Sequence, residues 1–222
     1  MIEATYIDHM GSDLSVVNAA RVSFGKKSDW IQRVYTGERH VLSEKDARLI
    51  RYLAKHNHKS PFNHTFVTFH IKAPVFVARQ LVKHEYMPWN EISRRYVDDP
   101  PEFYRVKEWR GRSKDKKQGS EGTIDAQGVA PIGRAEWAAL ECYNILLEKG
   151  VAPEQARMVL PQSMMTEWYW SGTLFAFAKM CGLRCKDDTQ AETREIANEI
   201  SLAMHELFPI SWEALTERKD NE

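Results

Sequence analysis

From Thr65 to Lys72 the chain reads Thr-Phe-Val-Thr-Phe-His-Ile-Lys, an alternation that puts Val67, Phe69 and Ile71 on one face of a strand. A strand with one apolar face has to lay that face on another layer. Two further stretches read as strands beside it, residues 2–7 and Ile92 to Val97, and Ser163 to Trp170 is β-prone through Met-Met-Thr-Glu-Trp-Tyr-Trp. The other layer is helical. Leu14, Val17, Ala20 and Val22 give Asp13 to Ser23 a helical pattern, and Ser43 is a favoured N-cap for a helix that starts near Glu44 and turns Leu49, Ile50, Leu53 and Ala54 inward. His56-Asn57-His58-Lys59-Ser60-Pro61 breaks that helix, because proline disfavours helical backbone in the residue before it. Pro74 ends the central strand and suits the first position of a helix from Val75 to about Glu85, with Val77, Leu81 and Val82 buried. The last third reads as four helices: Arg134 to Lys149, Pro153 to Val159, Gly172 to Leu183 and Gln190 to Leu207. These patterns predict a single α+β domain over 1–222, an antiparallel sheet packed against helices. At 222 residues one core is the expectation, and no internal repeat or linker argues for two.

Residues 105–134 differ in character. Arg110-Gly-Arg-Ser-Lys-Asp-Lys-Lys-Gln-Gly-Ser-Glu-Gly is charged and nearly free of apolar side chains. It is read as a surface loop insertion, with a lid or an oligomer contact as the alternative, since long ordered loops tend to be functional. Lys+Arg and Asp+Glu are both 31, so the formal net charge is zero. That balance argues against a general nucleic-acid binder, whose affinity comes from an excess of cations on phosphates, but leaves room for a local phosphate pocket. No apolar run approaches the roughly 20 residues a spanning helix needs. The three cysteines, Cys142, Cys181 and Cys185, form an odd and sparse set. With no basic and apolar leader pattern at the start, the chain is expected to be a reduced, cytoplasmic protein.

The residues that can carry chemistry crowd into 79–96. Arg79, Lys83 and His84 lie near a helix end and are followed by Asn90, Glu91, Ser93, Arg94, Arg95 and Tyr96. Cations, a hydroxyl and backbone donors together can hold a phosphate, and arginine does so with two prongs. Arg94 and Arg95 are neighbours on an expected strand, so only one of them can face a given pocket. Glu91 can accept from a sugar hydroxyl or a base N–H. Ordinary surface charge is the competing reading, weakened by the Trp89, Asn90 and Ser93 mixed among the charges.

The spacing of this segment resembles a known signature. Flavin-dependent thymidylate synthases carry Arg-His-Arg, seven residues, then Ser, with Asn-Glu before the Ser and Arg-Tyr after it. Here Lys83-His84-Glu85 is followed by seven residues and then Ser93-Arg94-Arg95-Tyr96, with Asn90-Glu91 in place. Other blocks resemble the family in the same order along the chain: Ala19-Ala20-Arg21-Val22-Ser23-Phe24, His58-Lys59-Ser60-Pro61-Phe62-Asn63-His64, Lys72 to Gln80, Ala156-Arg157-Met158-Val159-Leu160-Pro161, and Leu183-Arg184 followed by Gln190-Ala191-Glu192. One short motif is weak evidence, whereas an ordered set reaching from residue 19 to about 200 is strong.

The resemblance implies an enzyme that methylates dUMP to dTMP, with methylenetetrahydrofolate as carbon donor, FADH2 as hydride source and NADPH to regenerate it. It implies dUMP contacts from Gln80, Lys83, Glu91, Ser93, Arg94, Arg95, Arg157 and Arg184, with Arg95 and Arg157 on the phosphate. Arg184 is the catalytic candidate, placed by the family pattern beside the uracil, where a guanidinium favours ionisation at N3 and makes C5 more nucleophilic. His58, Ser60, Lys83, His84, Glu85, Asn90, Thr173 and Lys179 fall at FAD-contacting positions. The family also implies a homotetramer with active sites at subunit contacts. Neither a folate nor an NADPH motif separates itself from the rest of the chain.

Two positions depart from the signature. Lys83 keeps the charge of the first arginine without its fork, and Glu85 reverses the charge of the second beside a diphosphate-bearing cofactor. Glu85 is expected to turn outward or to pair with a base such as Lys179. Cys181 and Cys185, spaced Cys-x3-Cys, are weak evidence for zinc and are read as core packing. His9, His40, His70 and His205 have no partner pattern and are read as structural. Trp168, Tyr169 and Trp170 are read as strand and core residues, or as interface residues in the tetramer. Two other functions stay open: a flavin- and nucleotide-binding homologue without synthase activity, and a nucleotide-binding regulatory protein without redox chemistry.

Overall fold

A computed structural model describes residues 1–32, 40–97, 99–114, 119–125 and 131–216. In chain order the elements are β1 (Glu3–Met10), α1 (Asp13–Arg21), β2 (Ile31–Gln32), β3 (His40–Val41), α2 (Glu44–Lys55), β4 (Phe66–Pro74), α3 (Val75–Leu81), β5 (Trp89–Glu91), β6 (Arg110–Arg112), β7 (Ser120–Thr123), α4 (Ile132–Glu148), α5 (Pro153–Ala156), β8 (Met165–Thr173), α6 (Leu174–Arg184), α7 (Ala191–Leu207) and α8 (Pro209–Thr216).

The alternation of Thr65 to Lys72 becomes β4, the second strand of a four-stranded antiparallel sheet in the order β1-β4-β8-β5. Val67, Phe69, Ile71 and Ala73 of β4 are fully buried, and Trp168 and Trp170 of β8 continue the same apolar face. Helices α1, α2, α6, α7 and α8 cover it, with Val17, Ile50, Phe177, Ile200 and Trp212 among the side chains in one core. Phe69 and Trp170 both meet Phe177 edge-on, at 5.2 and 5.6 Å between ring centres, which ties sheet to helix layer. Tyr169 is half exposed on the opposite face, its ring tilted against that of His70 at 5.4 Å, while Trp168 and Trp170 are core residues.

Local chemistry sets most element ends. Ser43 caps α2 as expected, its hydroxyl accepting from the Asp46 amide at 3.1 Å. Helix α1 stops at Arg21, and Val22 lies exposed in a 3-10 turn rather than on a buried helical face. Pro74 is the last residue of β4 and the extended N-cap of α3, one position earlier than the first helical position expected for it. Arg157 to Val159 form a 3-10 turn after α5, Gly172 and Thr173 belong to β8 rather than to α6, and α8 adds a helix that the sequence pattern did not suggest.

Of the histidines read as structural, two have side-chain partners among the described residues. His9 meets the Tyr6 hydroxyl through Nδ1 at 2.6 Å, His70 reaches Glu167 at 2.9 Å, and His205 is exposed. The side chain of His40 lies outside the described residues. Among the described residues no helix is long and apolar enough to cross a membrane.

Candidate active site

Helix α3 is shorter than the apolar spacing predicts, and that difference builds the site. It ends at Leu81, leaving Val82 exposed instead of buried and placing Lys83, His84 and Glu85 in a turn. Two features force the turn. Tyr86 adopts a left-handed backbone (φ 61°), which no helix continues through, and Met87 folds back onto Gly172 of β8. A side chain at Gly172 would meet Met87 Cε at 3.1 Å, so the small residue admits the methionine. The chain then joins the sheet as β5, with Trp89 stacked on Trp168 at 4.2 Å.

His84 is half-buried in this turn, and Arg184 at the end of α6 donates from Nε to its Nε2 at 3.1 Å. Burial, the Arg184 charge and the Lys179 charge together lower its pKa to about 4. An arginine has only donors to offer, so His84 accepts at Nε2 and carries its proton on Nδ1. The ring is neutral at physiological pH, and it holds Arg184 by one edge of the guanidinium. The terminal nitrogens of Arg184 make no hydrogen bond to protein among the described residues. Arg184 borders a cavity of about 320 Å³ lined also by Gln80, Gly119, Asp188, Thr189 and Gln190.

Gln80 enters that cavity from α3 and is held by α7. Its Nε2 donates to Gln190 Oε1, and its Oε1 accepts from Thr193 Oγ1 at 3.2 Å. Gln190 in turn donates to Glu192 at 3.1 Å, and Arg110 of β6 grips both oxygens of Glu192 at 2.7 Å. Burial pushes the Glu192 carboxyl up, but its bonds from Arg110 and Gln190 outweigh that and hold it below the ordinary glutamate value.

The other expected site residues form a second group at the edge of the sheet. The segment Ile92 to Val97 is not a strand: β5 ends at Glu91, and residues 94–96 form a turn closed by the Tyr96 amide on the Ser93 carbonyl at 2.9 Å. The opposite-face argument for Arg94 and Arg95 therefore fails, because it required pleated backbone. Arg94 donates to the Asp99 carbonyl, whereas Arg95 is exposed and lies 5.3 Å from the Tyr96 ring centre. Glu91 accepts from Thr166 at 2.6 Å and from the Trp89 indole at 3.1 Å. Arg157 is exposed in its own turn, bonded only to the Glu154 carbonyl at 3.3 Å among the described residues. No hydrogen bond, ion pair or shared cavity joins Arg95 or Arg157 to Gln80 and Arg184 among the described residues.

The remaining cofactor candidates are distributed in the same way. Lys83, Glu85, Asn90 and Lys179 are exposed, and Lys179 lies near enough to His84 to depress its protonation. Among the described residues no ion pair joins Glu85 to Lys179, so the expected pairing is absent, and Glu85 is exposed. His58 is exposed and stacks on Tyr52 at 6.2 Å, and Ser60 begins the 3-10 turn that follows. Thr173 caps α6 by accepting from the Ala176 amide at 3.2 Å and donates to Asn63 at 2.8 Å. Cys181 is buried on α6 and directs its thiol to the Ala197 carbonyl at 3.4 Å; burial pushes that thiol up, while a bond from Cys181 holds the half-buried Cys185 thiol down.

Sequence reasoning missed a larger cleft. Residues Arg110–Arg112 and Ser120–Thr123 pair as an antiparallel hairpin inside the stretch read as a surface loop, of which 115–118 and 126–130 lie outside the described residues. The hairpin, with Phe76, Tyr104 and the start of α4, encloses about 1050 Å³. Gly119 and Gln190 border this cleft and the smaller cavity alike. Gly119 has φ +92°, and a Cβ there would sit 2.7 Å from the Asp188 carbonyl oxygen, so only glycine lets the hairpin lie this close to the loop before α7. The Arg110–Glu192 pair spans 82 positions, and nothing local in the sequence signals it.

Comparison with known proteins agrees with this arrangement of blocks. The family model described as thymidylate synthase complementing protein matches residues 5–210. A flavin-dependent thymidylate synthase of Thermus thermophilus is 40% identical over 212 residues, covering 95% of this chain and 74% of that protein. One from Kosmotoga olearia is 36% identical, covering 94% and 87%. Among solved structures, the UMP/dUMP methylase PolB from Streptomyces cacaoi bound with 5-Br dUMP superposes with a TM-score of 0.81 at 32% identity, over 97% of this chain and 95% of that one.

Proposed function

Since the chain belongs to the flavin-dependent thymidylate synthase family, we propose that it converts dUMP to dTMP with methylenetetrahydrofolate as carbon donor and a flavin as reductant. The observation that carries this reading is Arg184 and Gln80 facing one cavity, with Arg184 held from behind by a neutral histidine. The bond to His84 occupies Nε and leaves the two terminal nitrogens for a base. A guanidinium beside the uracil edge stabilises negative charge that develops when N3 ionises, and the electron density gained at C5 makes that carbon the nucleophile. A protonated His84 would repel Arg184; burial and the two neighbouring cations keep it neutral and accepting.

The residues present fit FAD. Lys83, Lys179 and Arg184 surround His84 with three cations against the single carboxylate of Glu85, which suits a diphosphate-bearing cofactor. His58, Ser60, His84, Asn90 and Thr173 are the further contacts we assign to it, with Glu85 exposed beside them. Bound there, the reduced flavin supplies the hydride that completes the methyl group, and NADPH restores it. The protein supplies binding, orientation and charge.

We place dUMP between the two groups of side chains: Gln80, Lys83 and Arg184 on its base side, and Glu91, Ser93, Arg94, Arg95 and Arg157 on its sugar and phosphate side. No bond or shared cavity joins Arg95 or Arg157 to Gln80 and Arg184 among the described residues of one chain, so we assign them to different subunits of a homotetramer. Exposed Arg95, Tyr96, Arg157 and Met158 support a site completed across a contact between copies. Free thiols and the lack of a membrane-crossing helix among the described residues are consistent with a cytoplasmic enzyme.

Tritium release from C5-labelled dUMP tests the reaction. Release is expected only with NADPH, FAD and methylenetetrahydrofolate all present. A yellow protein whose flavin bleaches with NADPH but which releases no tritium would identify a homologue without synthase activity.

A further inference from the structure

We infer that Gln190 and Glu192 are positioning residues that fix which way the Gln80 amide points, and that they thereby set the preference for a uracil over a cytosine base. This inference rests on the proposed binding of dUMP beside Gln80 and Arg184. It starts from a polarity that runs through the hydrogen bonds on α7. Glu192 is 4% exposed and ionised, with both oxygens gripped by Arg110, so it can only accept. Gln190 must therefore present its NH2 to Glu192, which leaves its carbonyl oxygen towards Gln80. Gln80 must answer with its own NH2, and its oxygen then turns to the Thr193 hydroxyl, which is fully buried.

Each amide in this chain is a near-symmetric object, since a flip exchanges oxygen and nitrogen with almost no change of shape. Nothing about packing alone selects one orientation. The selection comes from the carboxylate at the far end, which is an acceptor whatever its neighbours do. What Gln80 has left for the cavity is one N–H and one lone pair, each at a defined place. Uracil and cytosine differ in the order of donors and acceptors on the same edge: O4 and N3–H in one, N4–H2 and bare N3 in the other. A Gln80 held in one orientation discriminates between those edges, whereas a Gln80 free to flip can serve both.

The hairpin has a part in this arrangement. Arg110 is fixed by its bond to Ser120 Oγ at 2.8 Å, and Gly119 lets that strand end rest on Asp188. The segment read from sequence as a surface loop therefore supplies the cation that keeps Glu192 charged and in place.

The test is binding of dUMP and of dCMP to the flavin-loaded protein, measured by calorimetry, for the parent and for Glu192→Gln and Gln190→Met. The parent is expected to prefer dUMP. Glu192→Gln makes the terminal group a donor as well as an acceptor, and the dUMP preference over dCMP is expected to fall about tenfold, one good hydrogen bond being worth about that factor. Gln190→Met is the control for folding, because Gln190 is the partly buried N-cap of α7, makes no side-chain cap bond there, and methionine keeps its length. It is expected to lose discrimination to the same degree while melting within a few degrees of the parent. A parent that binds dUMP, with both variants keeping its dUMP-to-dCMP ratio, overturns the inference and leaves the proposed function standing. A parent that binds neither nucleotide overturns the proposed function, and the inference with it.

Discussion

Two groups of polar side chains meet the proposed substrate, and the fold treats them differently. Gln80, His84 and Arg184 are pinned by elements α3, α6 and α7 and by hydrogen bonds that cross 100 to 113 positions of sequence. Arg95 and Arg157 stand on turns, exposed, with only local partners. The first group is preorganised by the core of its own chain. The second has no such support among the described residues of one chain, and in the proposed assembly another subunit would supply it. Charge stabilisation in a transition state needs donors that do not have to reorganise, whereas phosphate anchoring tolerates a later assembly. The division of labour follows from that difference.

Arg184→Ala is the substitution that strikes the preorganised group hardest. Removing a fixed donor from developing charge costs on the order of 10²–10³ in turnover. Tritium release from dUMP should fall by that factor, while far-UV circular dichroism stays that of the parent because Arg184 sits at the last turn of α6. A loss smaller than tenfold would mean that the inner group is not where the chemistry occurs.

The exposed group should respond in binding instead of turnover. Arg95→Ala and Arg157→Ala each remove a charge-assisted contact, worth roughly 10- to 100-fold in the KM for dUMP. Neither should move the melting temperature much, since neither side chain is buried. Mixing the two kinds of impaired subunit, assayed at dUMP well below the raised KM of Arg95→Ala, sharpens the comparison further. If a site takes Arg184 from one copy and Arg95 from another, oligomers reassembled from Arg184→Ala and Arg95→Ala chains contain some complete sites and regain activity. If both residues act within one copy, every chain in the mixture is defective and no activity returns.

How much of this was legible in the sequence follows the same division. The sheet was readable because Val67, Phe69 and Ile71 declare a buried face, and Ser43 declares the start of α2. The spacing of His84, Ser93 and Arg184 and the blocks around them, from which the site residues are proposed, was legible. Their setting was not. Lys83 to Glu85 have ordinary helical propensity, and the helix stops short of them because Met87 packs on Gly172 and Trp89 on Trp168, contacts made across 80 residues. Ile92 to Val97 has the β-branched and aromatic content of a strand, yet pairing stops at Glu91. The hairpin at 110–123 has no apolar pattern at all; an ion pair to α7 holds it instead of a buried face. Propensity reports on neighbours in sequence, and here neighbours in space decided.

A third contrast between the groups lies in pH. Only the inner one contains a half-buried histidine, and its folded pKa of about 4 is below the ordinary value of 6.5. Between those two values the unfolded chain binds a proton at position 84 that the folded chain refuses. Stability from this site is therefore complete above about pH 6.5 and declines as the pH falls towards 4. A denaturation series from pH 7.5 to 4 should show this decline flattened in His84→Gln, which keeps an acceptor for Arg184 and does not titrate. An unchanged pH profile in that variant would assign the decline to other groups.

The smallest effect is expected closest to the most important residue. Cys185 follows Arg184 directly, and the other thymidylate synthases use a cysteine nucleophile, so its neighbourhood invites a catalytic reading. The geometry opposes it. The bond that holds the Cys185 thiol below its ordinary value comes from Cys181, which is buried against the Ala197 carbonyl and does not line the cavity that Arg184 borders. Cys185 is not among the residues lining that cavity. Cys185→Ala removes one half-buried sulfur at a helix end, and turnover should stay within about twofold of the parent. Loss of tritium release with FAD still bound would instead place the thiol in the reaction, and would move the chemistry off the Gln80–Arg184 side of α6.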